Sequence, residues 1–251
     1  MDYYSSLRAL ASDNLECHFF DSLESTSTFL SDLPFSPATQ LCIAREQTQG
    51  KGQHGREWAS LRDGSILFSI RQVFNNKTNL NGLSLLVGIA IIKALEIECQ
   101  NKEFKIKWPN DIYLRKHKLA GILLENQLHK GSHSVVIGVG VNYHLHEKIS
   151  SNTPWIDLKS LDKKLPEIQQ MTASIIDSVL KIIEQFKLYG LSNLLSQWDQ
   201  YDMLKGTKLM STEIGKSFEG EVIGISDLGA LKVLTKNGIK ELYSSKHIEY
   251  I

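Results

Sequence analysis

A chain of 251 residues is long enough to bury a substantial core without covalent staples, and 28 basic residues set against 28 acidic ones leave no net field to draw it toward nucleic acid or an anionic membrane. Cys17, Cys42 and Cys99 are odd in number, widely spaced and accompanied by no metal-ligand pattern, which excludes a disulfide framework and predicts free thiols in a reducing cytosol. No apolar run nears the roughly 20 residues of a spanning helix, and Met1 to Tyr4 lack the order of a signal peptide, so a soluble, cytoplasmic protein is expected.

Leu7, Leu10, Ala11 and Leu15 recur at helical spacing and predict a short opening helix, followed by a strand at Cys17-His18-Phe19-Phe20. Ser25-Thr26-Ser27 is a helix N-cap cluster, so a second helix starts there. Gln40 to Arg45 and Gly64 to Val73 read as strands on either side of the loop Gly50-Lys51-Gly52-Gln53-His54-Gly55-Arg56-Glu57-Trp58. Leu80 to Gln100 carries a long, largely apolar helix.

Phe104 to Trp108 reads as a strand that Pro109 stops, since proline donates no N–H and holds its predecessor extended. Ile112 to Leu114 and Lys118 to Leu128 form hairpin arms around Arg115-Lys116-His117. In that register Lys118 faces Leu114 and lies roughly 10 Å from Asp111, a gap much of which a lysine side chain spans. Val135 to Asn142 is a further strand in which Gly138 and Gly140 mark close backbone approach. A polar connection over 144–154 leads to an amphipathic helix from Ile168 to Tyr189, and Leu191 to Tyr201 extends the helical region. After Met203 short β segments alternate with glycine, at Lys208 to Met210, Phe218 to Ile225, Ala230 to Thr235 and Ile239 to Leu242. They predict a small barrel of about five strands and a division into domains at 1–203 and 204–251.

Gly50, Gly52 and Gly55 satisfy the spacing of a dinucleotide fingerprint, but that motif needs a helix next and here a strand follows. Backbone N–H groups with the Lys51 and Arg56 charges suit a phosphate without a helix; a plain connection between strands is the other reading. Trp58 beside Arg56 is either a core residue or a recognition surface. Lys107-Trp108-Pro109-Asn110-Asp111 is followed by Lys118-Leu119-Ala120-Gly121, which sets two lysines on either side of a rigid turn. Asn110 and Asp111 suit either a hydrogen-bonded turn or contact with a nucleotide and a divalent cation. The Ser25 to Ser27 hydroxyls are cap residues first and, as donors, suit a urea-like group. His144 and His146 lack a third ligand, and no Gly-x-Ser-x-Gly elbow supports a hydrolase.

Taken in order, Ser25-Thr26-Ser27, Gln47 to Trp58, Lys107 to Asp111, Lys118 to Leu123 and Gly138 to Asn142 resemble the biotin protein ligases from about Phe19 onward. The resemblance implies an α+β fold, a central mixed β-sheet flanked by helices of class II synthetase-like type, with a small C-terminal SH3-like β-barrel. It implies that the carboxylate of biotin attacks the α-phosphate of Mg·ATP, giving biotinyl-5′-AMP and pyrophosphate. A lysine of a biotin carboxyl carrier protein domain of a carboxylase then displaces AMP.

By the same resemblance Lys118 and Arg56 are catalytic, and Ser25, Thr26, Ser27, Gln47, Gly50, Lys51, Gly121 and Gly138 meet biotin, the last two glycines leaving room for its rings. Lys51, Gly52, Gln53, Arg56, Trp58, Lys107, Asn110, Asn142 and Trp155 fall on the nucleotide side, Trp155 on a closing loop, and Asp111 is the Mg²⁺ candidate. Three positions depart from the family pattern: Lys51 and Gln53 replace arginines and Ser27 replaces asparagine. Lys51 keeps charge without arginine's fork, and Gln53 has none, so weaker retention of the adenylate is expected.

The competing readings are a lipoate or octanoate ligase of the same superfamily, which usually lacks the Lys107 to Asp111 segment and this loop, and a non-catalytic interaction protein using the terminal barrel. Residues 1–18 leave no room for the winged helix-turn-helix that some relatives carry, so no DNA binding is expected. Relatives occur as monomers and as homodimers joined through the sheet edge, and the sequence leaves both open.

Overall fold

The computed structural model describes residues 3–5, 7–11, 14–146, 153–161, 164–213 and 216–251. The strands of the larger sheet are, in chain order, β1 (Leu15–Phe20), β2 (Thr39–Ala44), β3 (Ser65–Asn75), β4 (Phe104–Lys107), β5 (Asp111–Leu114), β6 (His117–His129) and β7 (Ser132–Asn142). They lie side by side in the order β1-β2-β3-β7-β6-β5-β4. The β1–β2 pair is parallel and the others are antiparallel, so the sheet is mixed. The helices are α1 (Thr26–Asp32), α2 (Leu83–Cys99), α3 (Ile168–Tyr189) and a single turn α4 (Trp198–Tyr201).

The central strands β3 and β7 are buried on both faces, and their near-continuous apolar runs follow from that. Leu41, Ile43, Val135 and Ile137 point into the main core, with α2 and α3 packed on each other over that face. Cys42 and Val136, one residue out of phase, meet Leu30 of α1 on the opposite face. Helix α2 is apolar almost all round because it is enclosed almost all round, whereas α3 buries one stripe from Ile168 to Phe186. The face with α1 is the one that carries the site.

The second sheet comprises β8 (Lys208–Glu213), β9 (Lys216–Ile225), β10 (Leu231–Thr235), β11 (Gly238–Leu242) and β12 (Ile248–Tyr250), in the order β11-β10-β9-β8-β12. The five antiparallel strands agree with the SH3-like expectation, but no pairing of β11 with β12 closes a ring among the described residues. This sheet shares the main core through Leu209, Val222, Val233 and Leu242. Trp108 Nε1 donates to Gly229 O at 2.9 Å, and Met203 N donates to Ile106 O at 3.0 Å, so β4 and the turn after it dock the C-terminal strands.

Three expectations need correction. The opening helix is one 3-10 turn, Leu7–Leu10, and Leu15 opens β1 instead of extending it. The β5–β6 turn is Arg115-Lys116, not a three-residue loop, with Arg115 at a positive φ of 55° and His117 already paired with Leu114. The polar connection expected over 144–154 includes 147–152, which lie outside the described residues.

Candidate active site

The glycine-rich loop is closed at its base by Arg45, whose Nε and Nη2 donate to Asp63 Oδ1 at 2.8 Å and Oδ2 at 2.7 Å. This bidentate pair joins the end of β2 to the start of β3. Within the loop, Trp58 N donates to Gly50 O at 2.8 Å and Gly52 N to Arg56 O at 2.7 Å, making a small hairpin with Lys51 bridged to Glu57. Its tip, Gln53-His54-Gly55, turns through positive φ at His54 and Gly55, the latter a conformation glycine adopts without strain. The phosphate-loop reading therefore rests on an ordered hairpin whose Lys51 and Arg56 side chains are exposed.

The residues from Lys107 to Asp111 are tied to several different elements. Lys107 Nζ sits 4.4 Å from the ring centre of Tyr250 and 5.8 Å from that of Tyr113. Burial lowers the Lys107 pKa; Asp111 opposes that and Lys118 and Arg56 add to it. Trp108 is buried against the second sheet, and the Trp108–Pro109 bond is cis. Ser84 Oγ of α2 donates to Pro109 O at 2.9 Å, while Asn110 Nδ2 donates to Ile122 O at 2.6 Å and Asn110 O accepts from Ile122 N. For Asn110 the turn reading holds, since its amide nitrogen ties the turn to β6.

Asp111 Oδ1 lies 2.8 Å from Lys118 Nζ, with both side chains about four-fifths buried at 19% and 21% exposure. The pairing of β5 with β6 slips between Ile112 and Tyr113, so Asp111 opposes Gly121 while Tyr113 opposes Lys118. That irregularity shortens the expected separation and swings both side chains to one face. Lys118 Nζ also lies 5.4 Å from the Trp58 ring centre, which brings the glycine-rich loop onto the lysine. The backbone of Lys118 accepts from Ile156 N and donates to Pro154 O, and Asn142 Nδ2 donates to Ile156 O at 3.1 Å. The Trp155 segment is thus laid along β6, and Asn142 helps to hold it there.

A wall of hydroxyls stands opposite. Ser25 caps α1, its Oγ accepting from Thr28 N. Gln47 Oε1 accepts from Thr26 N at 2.7 Å and Thr26 Oγ1 at 2.9 Å. Ser69 Oγ of β3 lies 2.7 Å from Thr26 Oγ1 and 3.0 Å from Ser27 Oγ. Two residues on, the buried Arg71 reaches the other end of α1, donating to Leu30 O, Leu33 O and Pro34 O.

These walls enclose a cavity of about 380 Å³. Of the residues picked out from the sequence, only Gly50, whose carbonyl is spent on the loop hairpin, and Lys107, drawn onto Tyr250, lie outside its lining. The space beside two glycines is taken up by protein atoms: a Cβ at Gly121 would come 3.0 Å from Trp58 Cζ3, and one at Gly138 would come 2.5 Å from Ser27 Oγ. Sequence reasoning missed Gly140 as the main seat of the indole, where a Cβ would fall 2.5 Å from Trp58 Cε2. It also missed Ser69, since a serine within the apolar run 66–70 gives no signal, and the apolar lining of Ile122, Leu123 and Val139. His144 and His146 stand with ring centres 6.1 Å apart, and no group of three metal-ligating side chains occurs among the described residues.

Residues 19–142 match the model of the Biotin/lipoate A/B protein ligase family. The chain is 31% identical over 222 residues to the bifunctional ligase/repressor BirA of Escherichia coli, spanning 86% of this chain and 68% of that protein. The chain belongs to the biotin/lipoate A/B protein ligase family. The BirA of Bacillus subtilis is 28% identical over 240 residues, 90% of this chain and 72% of that one. Among solved structures, a biotin protein ligase from Aquifex aeolicus in complex with biotin and ATP superposes with a TM-score of 0.79 at 24% identity, covering 94% of this chain and 98% of that chain. As in that ligase, the family fold here combines the central sheet with the C-terminal strands, and the family match spans the hydroxyl wall, the loop, Lys118 and Asn142.

Proposed function

We propose that this cavity joins biotin to AMP and that the protein then passes biotin to a lysine of a biotin carboxyl carrier protein domain of a carboxylase. The enzyme is an ATP-dependent biotin protein ligase. In the first half-reaction a carboxylate oxygen of biotin bonds to the α-phosphorus and the bond to the pyrophosphate oxygen breaks. In the second, the carrier's neutral lysine amine bonds to the acyl carbon and AMP leaves with the electron pair of the mixed anhydride. Both halves bring anions together, and fixed positive charge in a partly dry site offsets that repulsion.

The observation that carries the reading is the convergence of Lys118 with the loop cations on one cavity that also holds the Ser25–Ser27 wall. In this reading Lys118 binds first the carboxylate and then the oxygens between acyl group and phosphate, and Asp111 holds its ammonium in place. Arg56 and Lys51 meet phosphates, Gln53, Gly52, Asn142 and Trp155 flank the nucleotide, and Gln47 with Ser25, Thr26 and Ser27 meets the ring system. Trp58 separates the two ends. Residues 1–203 form the catalytic unit, and 204–251 support it through Trp108 and Lys107.

The Asp111 carboxylate lines the cavity, and Mg²⁺ is commonly held by one carboxylate together with substrate phosphates and water, so the donor set fits that ion. When bound it supplies charge neutralisation on the phosphates. The test is mass spectrometry of a carrier domain after incubation with biotin, ATP and Mg²⁺, run beside an incubation with lipoate. Biotin addition that Lys118→Ala abolishes supports the reading; lipoate addition instead, or no addition by the native chain, overturns it.

A further inference from the structure

The hydroxyl wall has a fixed direction. Thr26 N can only donate, so the Gln47 atom 2.7 Å from it is the amide oxygen, and the Thr26 hydroxyl 2.9 Å from that same oxygen spends its one proton on it. Thr26 Oγ1 therefore accepts across the 2.7 Å contact with Ser69, and Ser69 spends its proton there. The 3.0 Å contact between Ser27 and Ser69 is then donated by Ser27. The chain runs Ser27 to Ser69 to Thr26 to Gln47, and every proton in it is committed. Ser27, at the cavity end, is left with lone pairs only, while Ser25 accepts from Thr28 N and keeps its proton.

From this we infer that Ser69, a fully buried residue of β3 outside the cavity lining, is a positioning residue that turns the Ser27 hydroxyl into an obligate acceptor, so that the site selects a ligand presenting an N–H at that point beside a carbonyl oxygen. The inference deepens the biotin reading and rests on it, the cyclic urea of biotin having both groups. It reverses the expectation that all three side chains act as donors. Gly138 stands opposite Ser69 in the β3–β7 register, where a Cβ would fall 2.5 Å from Ser27 Oγ; the glycine lets the Ser27 hydroxyl reach Ser69.

The experiment compares biotin with the two analogues in which one or other ring N–H is replaced by oxygen, in the native enzyme and in Ser69→Ala. Native enzyme should show a KM about tenfold or more higher for one analogue, since an oxygen there faces a lone pair. In Ser69→Ala the proton of Ser27 is released and turns to the cavity: KM for biotin should rise about tenfold, kcat and the KM for ATP should hold, and the discrimination between analogues should collapse. A native enzyme indifferent to both substitutions overturns the inference without any variant. So does a Ser69→Ala enzyme with native melting behaviour and unchanged discrimination. Ser69→Cys, nearly isosteric and a weak donor, is read in the same way and should fall between the two. Failure of the native chain to biotinylate any carrier is a separate outcome, which removes the functional reading itself.

Discussion

Lys118 and Asp111 meet at 2.8 Å only because the β5–β6 pairing slips between Ile112 and Tyr113. Without that slip the Asp111–Gly121 register would set Lys118 opposite Leu114, three residues from Asp111, and the two side chains would leave opposite faces of the sheet. Asp111→Asn keeps the shape and removes the charge that fixes the ammonium. The adenylation rate, followed as biotin-dependent pyrophosphate release, should fall about tenfold, against a loss of about 100-fold or more for Lys118→Ala. Equal, small effects of the two variants would mean that neither residue serves the reacting groups.

Gln53 lines the cavity from the loop tip, the position at which the family resemblance leads one to expect an arginine. A neutral amide makes weaker bonds to phosphate than a guanidinium, so Gln53→Arg should slow adenylate release by about tenfold. Dissociation followed in a chase with unlabelled biotin and ATP measures this. Matching rates for native and variant enzyme would show that another cation already does the work.

The Trp58 indole is seated on Gly140 so closely that a methyl group there would overlap Cε2 at 2.5 Å and Nε1 at 2.6 Å. Gly140→Ala should expel the ring toward solvent, shift its fluorescence to the red and raise the KM for both substrates, with little change in melting temperature. An unshifted emission spectrum would place the indole elsewhere.

Tyr113 and Tyr250 flank Lys107, and burial is the first cause that pushes each up from its ordinary 10.0 to about 12, with Asp111 adding to the rise in both. Between those values the unfolded chain has released the phenolic protons and the folded one has kept them, so unfolding free energy must fall as pH rises. Stability from this source is complete below pH 10 and is lost toward pH 12. Urea midpoints across that range should decline steeply in the native protein and less steeply in Tyr250→Phe.

Much of the fold was legible because its signals are periodic. The amphipathic repeat predicted Ile168 to Tyr189, which are the bounds of α3, and Ser25 announced the start of α1. What failed was register and partnership. Nothing in Ile112-Tyr113 marks a slipped pairing, so the sequence allowed Lys118 to reach toward Asp111 without showing how the two meet. The packing of Lys107 was not legible because its aromatic partner, Tyr250, sits in a three-residue strand too short to detect, at the far end of the chain. Ser69 is one serine within the otherwise apolar run 66–70 of β3, and its meaning lies in α1, which packs over it.

Helix α1 is only seven residues long, far short of what persists alone in water. It is gripped by β3 at both ends, through Ser69 near its first turn and the Arg71 guanidinium on its last carbonyls. If the hydroxyl wall binds biotin as proposed, recognition is an all-or-none property of this protein: any partly melted form that releases the helix from the strand also loses the oriented hydroxyls, and selectivity is only as durable as the sheet beneath it.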